Sequence, residues 1–270
     1  MFGQVNVEGT TLDDVWFKLL RELYDHGRIN KIDSGSFEKE ETTRLEFDLV
    51  SGMIHYPTTR PLAPIMPEGI SPVTTQDDIE KYFTEYIMDG YNLKENEHYR
   101  YAIWISGGEY QLPKAKCIIS ETFQNLPQQY CTDIKMIVPN QVEWCINHYK
   151  KKGLYNNHCT IQVGYPESSF AYDIPYEDKA DRQTSPCLRL IDTKIVNENG
   201  KDYLLMNVYF RSWDLYSAWP ENMGGIILLL EFMANEIGVE TGPLSFCSKG
   251  LHAYSYCIDI LKRRLGISNE

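Results

Sequence analysis

Hydrophobic and polar positions are patterned most strongly in the last third of the chain. There "CLRLIDTKIV" and "YLLMNVYFRS" are rich in β-branched and aromatic residues, and the polar "NENGKD" between them carries Gly200, which predicts a β-hairpin. "PENMGGIILLLEFMANEIG" comes next, apolar over almost its whole length, with Pro220 at its start and Gly238 at its end, and predicts a buried helix. Residues 11–26, "TLDDVWFKLLRELYDH", predict an amphipathic helix with Thr11 as cap, Asp13 and Asp14 in the first turn and Gly27 as stop. Two more helices are expected over 76–90, ending at Gly90, and over 141–151, ending at Gly153. "RLEFDLVSGMIHYP" predicts two short strands around Gly52, "HCTIQVGYP" (158–166) a strand, "GPLSFCSKG" a short strand and "HAYSYCIDILKRRLG" a closing helix. "GRINKIDSGSFEKEETTR" reads as a polar surface loop, residues 167–185 as a surface excursion, and "TTRPLAPIMPEGISPVTT" as an extended connection.

Strands and helices in this irregular order place the chain in the α+β class, as one domain over residues 1–270. That length is enough to bury a sizeable core. No apolar run reaches the ~20 residues a bilayer-spanning helix needs. "MFGQVNVEGTTLDD" lacks a basic segment followed by an apolar one, so a cytoplasmic location with no membrane partner is expected. The net charge of −12 repels phosphate backbones and speaks against nucleic acid as a partner. A small anion held by a few arginines remains compatible with it. The seven cysteines have no CxxC spacing, so neither a disulfide framework nor a metal site is expected, and most should be small buried hydrophobes.

Cys187, after Pro186 at the mouth of the first hairpin strand, gains meaning from the residues downstream of it. Arg211 and Ser212 stand at the exit of the second hairpin strand, where guanidinium and hydroxyl donors suit a phosphate. Asp214 comes two residues later, and Asn222 opens the apolar helix. His252 and Tyr254 are two residues apart, which puts them on one face of an extended segment.

From Pro186 to about Leu265 this ordered set resembles the thymidylate synthase family: Pro186-Cys187, then Arg211-Ser212-Trp213-Asp214, then Asn222 eight residues after the Asp, then His252-Ala253-Tyr254. The resemblance implies a large mixed β-sheet with helices packed on it and one sheet face used for a homodimer. It implies a pyrimidine nucleoside 5′-monophosphate as substrate and 5,10-methylene-tetrahydrofolate as co-substrate, with no metal. Cys187, as thiolate with its pKa lowered by a nearby Arg, would add to C6 of the ring and make C5 nucleophilic. Arg211 and Ser212 would hold the phosphate, Asn222 the pyrimidine edge, His252 and Tyr254 the sugar hydroxyl, and Asp214 the folate pterin or the water that serves it. A general acid–base is also required. Glu85 in "FTEYIMDG" fits it best, with Glu80 as rival, and Tyr101 in "HYRYAIW" matches a tyrosine the family keeps near its nucleophile.

Three departures accompany the resemblance. The family's Arg-Arg pair, donated across the dimer, falls on "LYNNHCTIQV", with Asn156, Asn157 and His158 in its place. Arg28, Lys31, Arg60 or the Ser34-Gly35-Ser36 loop are the candidates to replace it. The chain ends 16 residues after Tyr254, where the common form runs on to a tail that closes over the folate. A family phosphate loop reads "DSGS" here, without its Arg. From the sequence, these departures incline the reading narrowly towards hydroxymethylation of a cytidine-type monophosphate, CMP or dCMP. Thymidylate synthesis from dUMP is the alternative, and a non-catalytic nucleotide-binding protein of the same fold is a further one.

Overall fold

In the computed structural model, Thr11 caps the first helix through a 3.2 Å bond from the Asp14 N–H to its Oγ1. The described residues are 3–31, 43–94, 97, 100–112, 134–165, 168–169 and 185–267. The elements before the Pro-rich connection are β1 (Gln4–Gly9), α1 (Leu12–His26), β2 (Arg28–Lys31), β3 (Thr43–Glu46) and β4 (Leu49–Ile54). Helix α2 (Gln76–Tyr82) continues into one π turn, Phe83–Ile87, and is followed by α3 (Ala102–Ile105), β5 (Gly108–Leu112), β6 (Ile134–Val138), α4 (Gln141–Lys152) and β7 (Thr160–Gln162). The last third holds β8 (Leu188–Glu198), β9 (Lys201–Phe210), β10 (Trp213–Asp214), α5 (Trp219–Ile237), β11 (Glu240–Ser248), β12 (Leu251–Tyr254) and α6 (Ile258–Arg264).

The main sheet is mixed and six-stranded, in the order β1-β4-β11-β9-β8-β7. The β8–β9 hairpin, turned at Asn199 and Gly200, both with positive φ, lies between β11 and the edge strand β7. Along β9 the buried residues are Leu204, Met206, Val208 and Phe210, the face covered by α5. Ile226, Ile227, Leu229, Leu230 and Met233 of α5 are fully buried, so Leu230→Ala would cost about 2–5 kcal/mol. A second sheet, β10-β12-β3-β2, stands at the end of the hairpin where Cys187 lies.

Several elements differ from the sequence pattern. Arg28–Lys31 is a strand, because it pairs in register with β3, and Ser34–Ser36 lies outside the described residues. Gly52 sits inside a single strand, where the Phe246 ring and the Val7 carbonyl leave no room for a Cβ. The strand expected over 158–166 is only Thr160–Gln162, and nearly all of the 167–185 excursion lies outside the described residues. The helix expected from "HAYSYCIDILKRRLG" opens instead with β12, which pairs with β3 and β10. In α6, Arg264 meets Asp13 at 2.8 Å and covers the Trp16 and Phe17 rings, docking α6 on α1.

Candidate active site

Strand pairing alone brings most of the expected residues together. The Arg211 N–H donates to the Cys187 carbonyl at 2.9 Å, so the end of β9 lies beside the nucleophile candidate. Arg211 then turns its guanidinium onto the same loop, donating from Nε to the Pro186 carbonyl at 3.1 Å and from Nη2 to the Ser185 carbonyl at 2.7 Å. Leu188 N–H reaches the Tyr101 hydroxyl at 3.5 Å, and the Tyr101 ring meets Phe210 edge-on at 6.3 Å. Tyr101 therefore packs against the start of β8, next to the nucleophile candidate.

Past Ser212 the chain crosses to the second sheet. Trp213 N–H donates to the Gly250 carbonyl at 2.9 Å and Leu215 N–H to the His252 carbonyl at 2.7 Å. Gly250 allows this approach, because a Cβ there would stand 3.0 Å from the Arg211 carbonyl and 3.4 Å from the Ser212 Cα. Asp214 comes level with His252 in the β10–β12 register, and His252 packs edge-on against Tyr254 at 4.9 Å. The His252 Nδ1 lies 2.8 Å from the Gly250 carbonyl, which requires its proton on Nδ1. Nε2 is then a buried acceptor without a hydrogen-bond partner among the described residues, suited to a hydroxyl group. Burial holds the His252 pKa below its ordinary value, so the ring is neutral.

Asp214 spends Oδ1 on its own turn, accepting from Tyr216 N–H at 3.0 Å and Ser217 N–H at 3.2 Å. Its Oδ2 makes no hydrogen bond among the described residues, which fits a contact to the donors of a pterin ring. Asn222 accepts the Trp213 indole N–H on Oδ1 at 3.0 Å.

Among the described cysteines, only Cys187 has guanidinium groups acting on its thiol. Burial raises its pKa above the ordinary thiol value, with Arg211 and Arg189 pulling the other way. The depressed pKa expected from the sequence is thus not found, because desolvation outweighs both cations. Arg189 escaped the sequence reading. It sits two residues from Cys187 at a β-bulge, where the register shifts between Leu188 and Leu190, and donates from Nη1 to the Ser185 Oγ at 2.9 Å. Two guanidiniums thus converge on buried Ser185, one at its hydroxyl and one at its carbonyl.

The carboxylates and the substitute cations stand differently. Glu85 lies in the π turn, paired with Lys94 at 2.8 Å, which holds its carboxyl below the usual range; no described contact joins it to Cys187. Glu80 is exposed and bonded to Gln76. Glu221, next to Asn222, is half-buried and pushed above its ordinary value by burial and then by Asp78, the only carboxyl so shifted among the described residues. Arg28 pairs with Asp48 at 2.6 Å, Arg60 with Glu231 at 2.6 Å, and Lys31 is exposed at the end of β2. Arg44, missed by sequence reading, lies opposite Tyr254 in the β3–β12 register and grips buried Glu46 with two bonds of 2.9 and 3.0 Å. In the segment after α4, Asn156 bonds to the Gly153 carbonyl and His158 pairs with His148 at 3.0 Å.

A family model described as thymidylate synthase matches residues 170–269, the part that contains Cys187, Arg211, Asn222 and His252. Over this C-terminal third the chain is similar to the thymidylate synthase family. A "Putative thymidylate synthase" of Methanosarcina mazei is 21% identical over 258 residues, which is 95% of this chain and 92% of that protein. Proteins of the same name from Methanothermobacter marburgensis and Methanosarcina acetivorans are 33% and 38% identical. Those two alignments cover 33% and 28% of this chain and 39% and 34% of those relatives, so the stronger likeness spans about a third of either partner. The helices and mixed sheet accord with that family's architecture. Within the described residues, no helix is long and apolar enough to cross a membrane, and no group of three or more His, Cys, Asp or Glu could hold a metal ion.

Proposed function

We propose that this protein transfers a one-carbon unit from methylene-tetrahydrofolate to C5 of a pyrimidine nucleoside 5′-monophosphate. The observation that carries the reading is the Cys187 loop, braced by Arg211 and Arg189 and tied through Arg211 and Trp213 to the strand of His252, whose buried Nε2 has no hydrogen-bond partner among the described residues. When bound, the folate supplies the carbon unit and, for a methyl product, the hydride. The chain's own groups do the rest. Cys187 adds to C6, and the bound phosphate and the two guanidiniums set the charge around it. His252 Nε2 accepts the sugar hydroxyl, and Tyr254 packs against the same ring. Asp214 Oδ2 receives pterin donors. A carboxyl takes the C5 proton. Glu85 is the candidate from the sequence, and Glu221, half-buried beside Asn222 and shifted upward by burial and then by Asp78, is a second one.

The amide of Asn222, with Oδ1 taken by Trp213, favours uracil over cytosine. It moves the preference from cytidine hydroxymethylation towards thymidylate-type chemistry on a uracil nucleotide. The outer face of the main sheet, carrying Leu190, Val196, Tyr203, Leu205 and Tyr209, none of them fully buried, supports a homodimer through that face. Incubation with methylene-tetrahydrofolate and each of CMP, dCMP, UMP and dUMP tests the assignment. Product from a uracil nucleotide is expected, with dihydrofolate accumulating if the product is methylated. Product from CMP or dCMP alone, without oxidation of the folate, would restore the hydroxymethylase reading.

A further inference from the structure

We propose that Trp213 is a positioning residue that selects uracil over cytosine by locking the Asn222 side-chain amide in one of its two orientations; this rests on the site being a pyrimidine nucleotide site. An asparagine amide is nearly symmetrical in shape, and turning it over exchanges donor for acceptor. Left to itself, it could serve either base. Here one of its atoms is already committed.

The indole ring of Trp213 cannot turn away. It is 3% exposed, stacks on Phe210 at 3.7 Å with 7° between the planes, meets Trp219 at 5.9 Å, and has the Phe246 ring edge-on at 6.3 Å. Its backbone N–H is fixed to the Gly250 carbonyl. Indole Nε1–H is a donor only, and it points at Asn222 from 3.0 Å, so the atom facing it must be Oδ1. The reversed amide would set N–H against N–H and strand a buried indole proton. The cost of such an unmade bond biases the orientation by roughly 10- to 100-fold.

The outward atom is therefore Nδ2, whose hydrogens have no partner among the described residues. At position 4 of the pyrimidine ring, uracil presents a carbonyl oxygen and cytosine an amino group. A fixed Nδ2 donor pairs with the first and opposes the second. The link to Cys187 runs through the main chain: Trp213 is two residues from Arg211, whose N–H donates to the Cys187 carbonyl.

The test is Trp213→Phe, which keeps the ring stack and removes the indole donor. Specificity is read as the ratio of kcat/KM for release of C5 tritium from labelled dUMP and dCMP, and from UMP and CMP, with methylene-tetrahydrofolate present. The wild-type protein should favour the uracil nucleotide of the better sugar by at least about tenfold. The variant should lose most of that ratio, by a fall on uracil with the cytosine rate held or raised. An equal fall on both bases would mean that Trp213 only supports packing, and would overturn the proposal while leaving the functional reading intact. Wild-type protein that neither binds nor exchanges any of the four nucleotides would overturn both. A measurement on the unmodified protein guards against a variant that fails to fold. The Trp213 indole proton, followed by nitrogen-15 NMR, should exchange slowly with and without UMP; rapid exchange in both states overturns the lock.

Discussion

Two parts of this chain were expected to supply the chemistry, and they stand differently. In the last third, the second sheet and the β8–β9 hairpin gather Cys187, Arg211, Asp214, His252 and Tyr254 through main-chain pairing. In the stretch from α2 to α3, Tyr101 reaches Leu188 beside Cys187, whereas Glu85 is paired with Lys94 and has no described contact to Cys187. The difference teaches that a site built on register is specified by its strands. A single carboxylate on a helix turn depends instead on whichever cation lies nearest.

Substitutions can break this contrast. The largest effect belongs to Cys187→Ala, which should lower turnover on the preferred nucleotide by about three orders of magnitude or more, measured by product formation with methylene-tetrahydrofolate. Arg211→Gln removes the brace on Ser185 and Pro186 and a cation beside the thiol, and a fall of roughly 100-fold in kcat/KM is expected. Glu221→Gln should cost more than tenfold in kcat with KM little changed, and Glu85→Gln less than about tenfold. A loss of a hundredfold or more for Glu85→Gln, with Glu221→Gln harmless, would return the acid–base role to the π turn. Arg189→Gln should give the smallest change in rate, a few-fold, but a clear rise in the thiol pKa, read from the pH dependence of iodoacetamide alkylation of Cys187. Because burial holds that thiol above its ordinary value, alkylation of the wild-type protein should itself climb through the alkaline range.

His252 adds a pH dependence of stability with a defined sign. Its folded pKa lies below the ordinary histidine value of 6.5, so the unfolded chain binds the proton first as pH falls. The stability tied to the neutral ring is whole above that value and is lost as pH drops through the folded pKa. Thermal unfolding followed from pH 7 downwards should show this loss for the wild-type protein, and His252→Asn should flatten it.

Much of this was legible in the residues themselves. The hairpin, α1, α4 and α5 follow from caps, glycine stops and apolar periodicity, and the order Cys187, Arg211, Asp214, Asn222, His252, Tyr254 carried the family. What stayed hidden depends on tertiary context. Gly52 reads as a break until Phe246 is seen lying across it. "HAYSYCIDILKRRLG" reads as one helix even though the spacing of His252 and Tyr254 suits an extended segment, because the strands that pair with it, β3 and β10, are distant in sequence. Arg189 carried one local signal, its place two residues after the cysteine, but the bulge that turns it towards Ser185 has no sequence mark. The direction of the Cys187 pKa shift also needed the structure, since it is set by burial against two charges rather than by either charge alone.

The central claim is that Cys187 attacks a pyrimidine ring. The most direct measurement is release of tritium from C5 of labelled dUMP or UMP in the absence of any folate, by the wild-type protein and by Cys187→Ala. Release by the wild-type protein and its disappearance in the variant are the predicted result; release that survives in Cys187→Ala would contradict it.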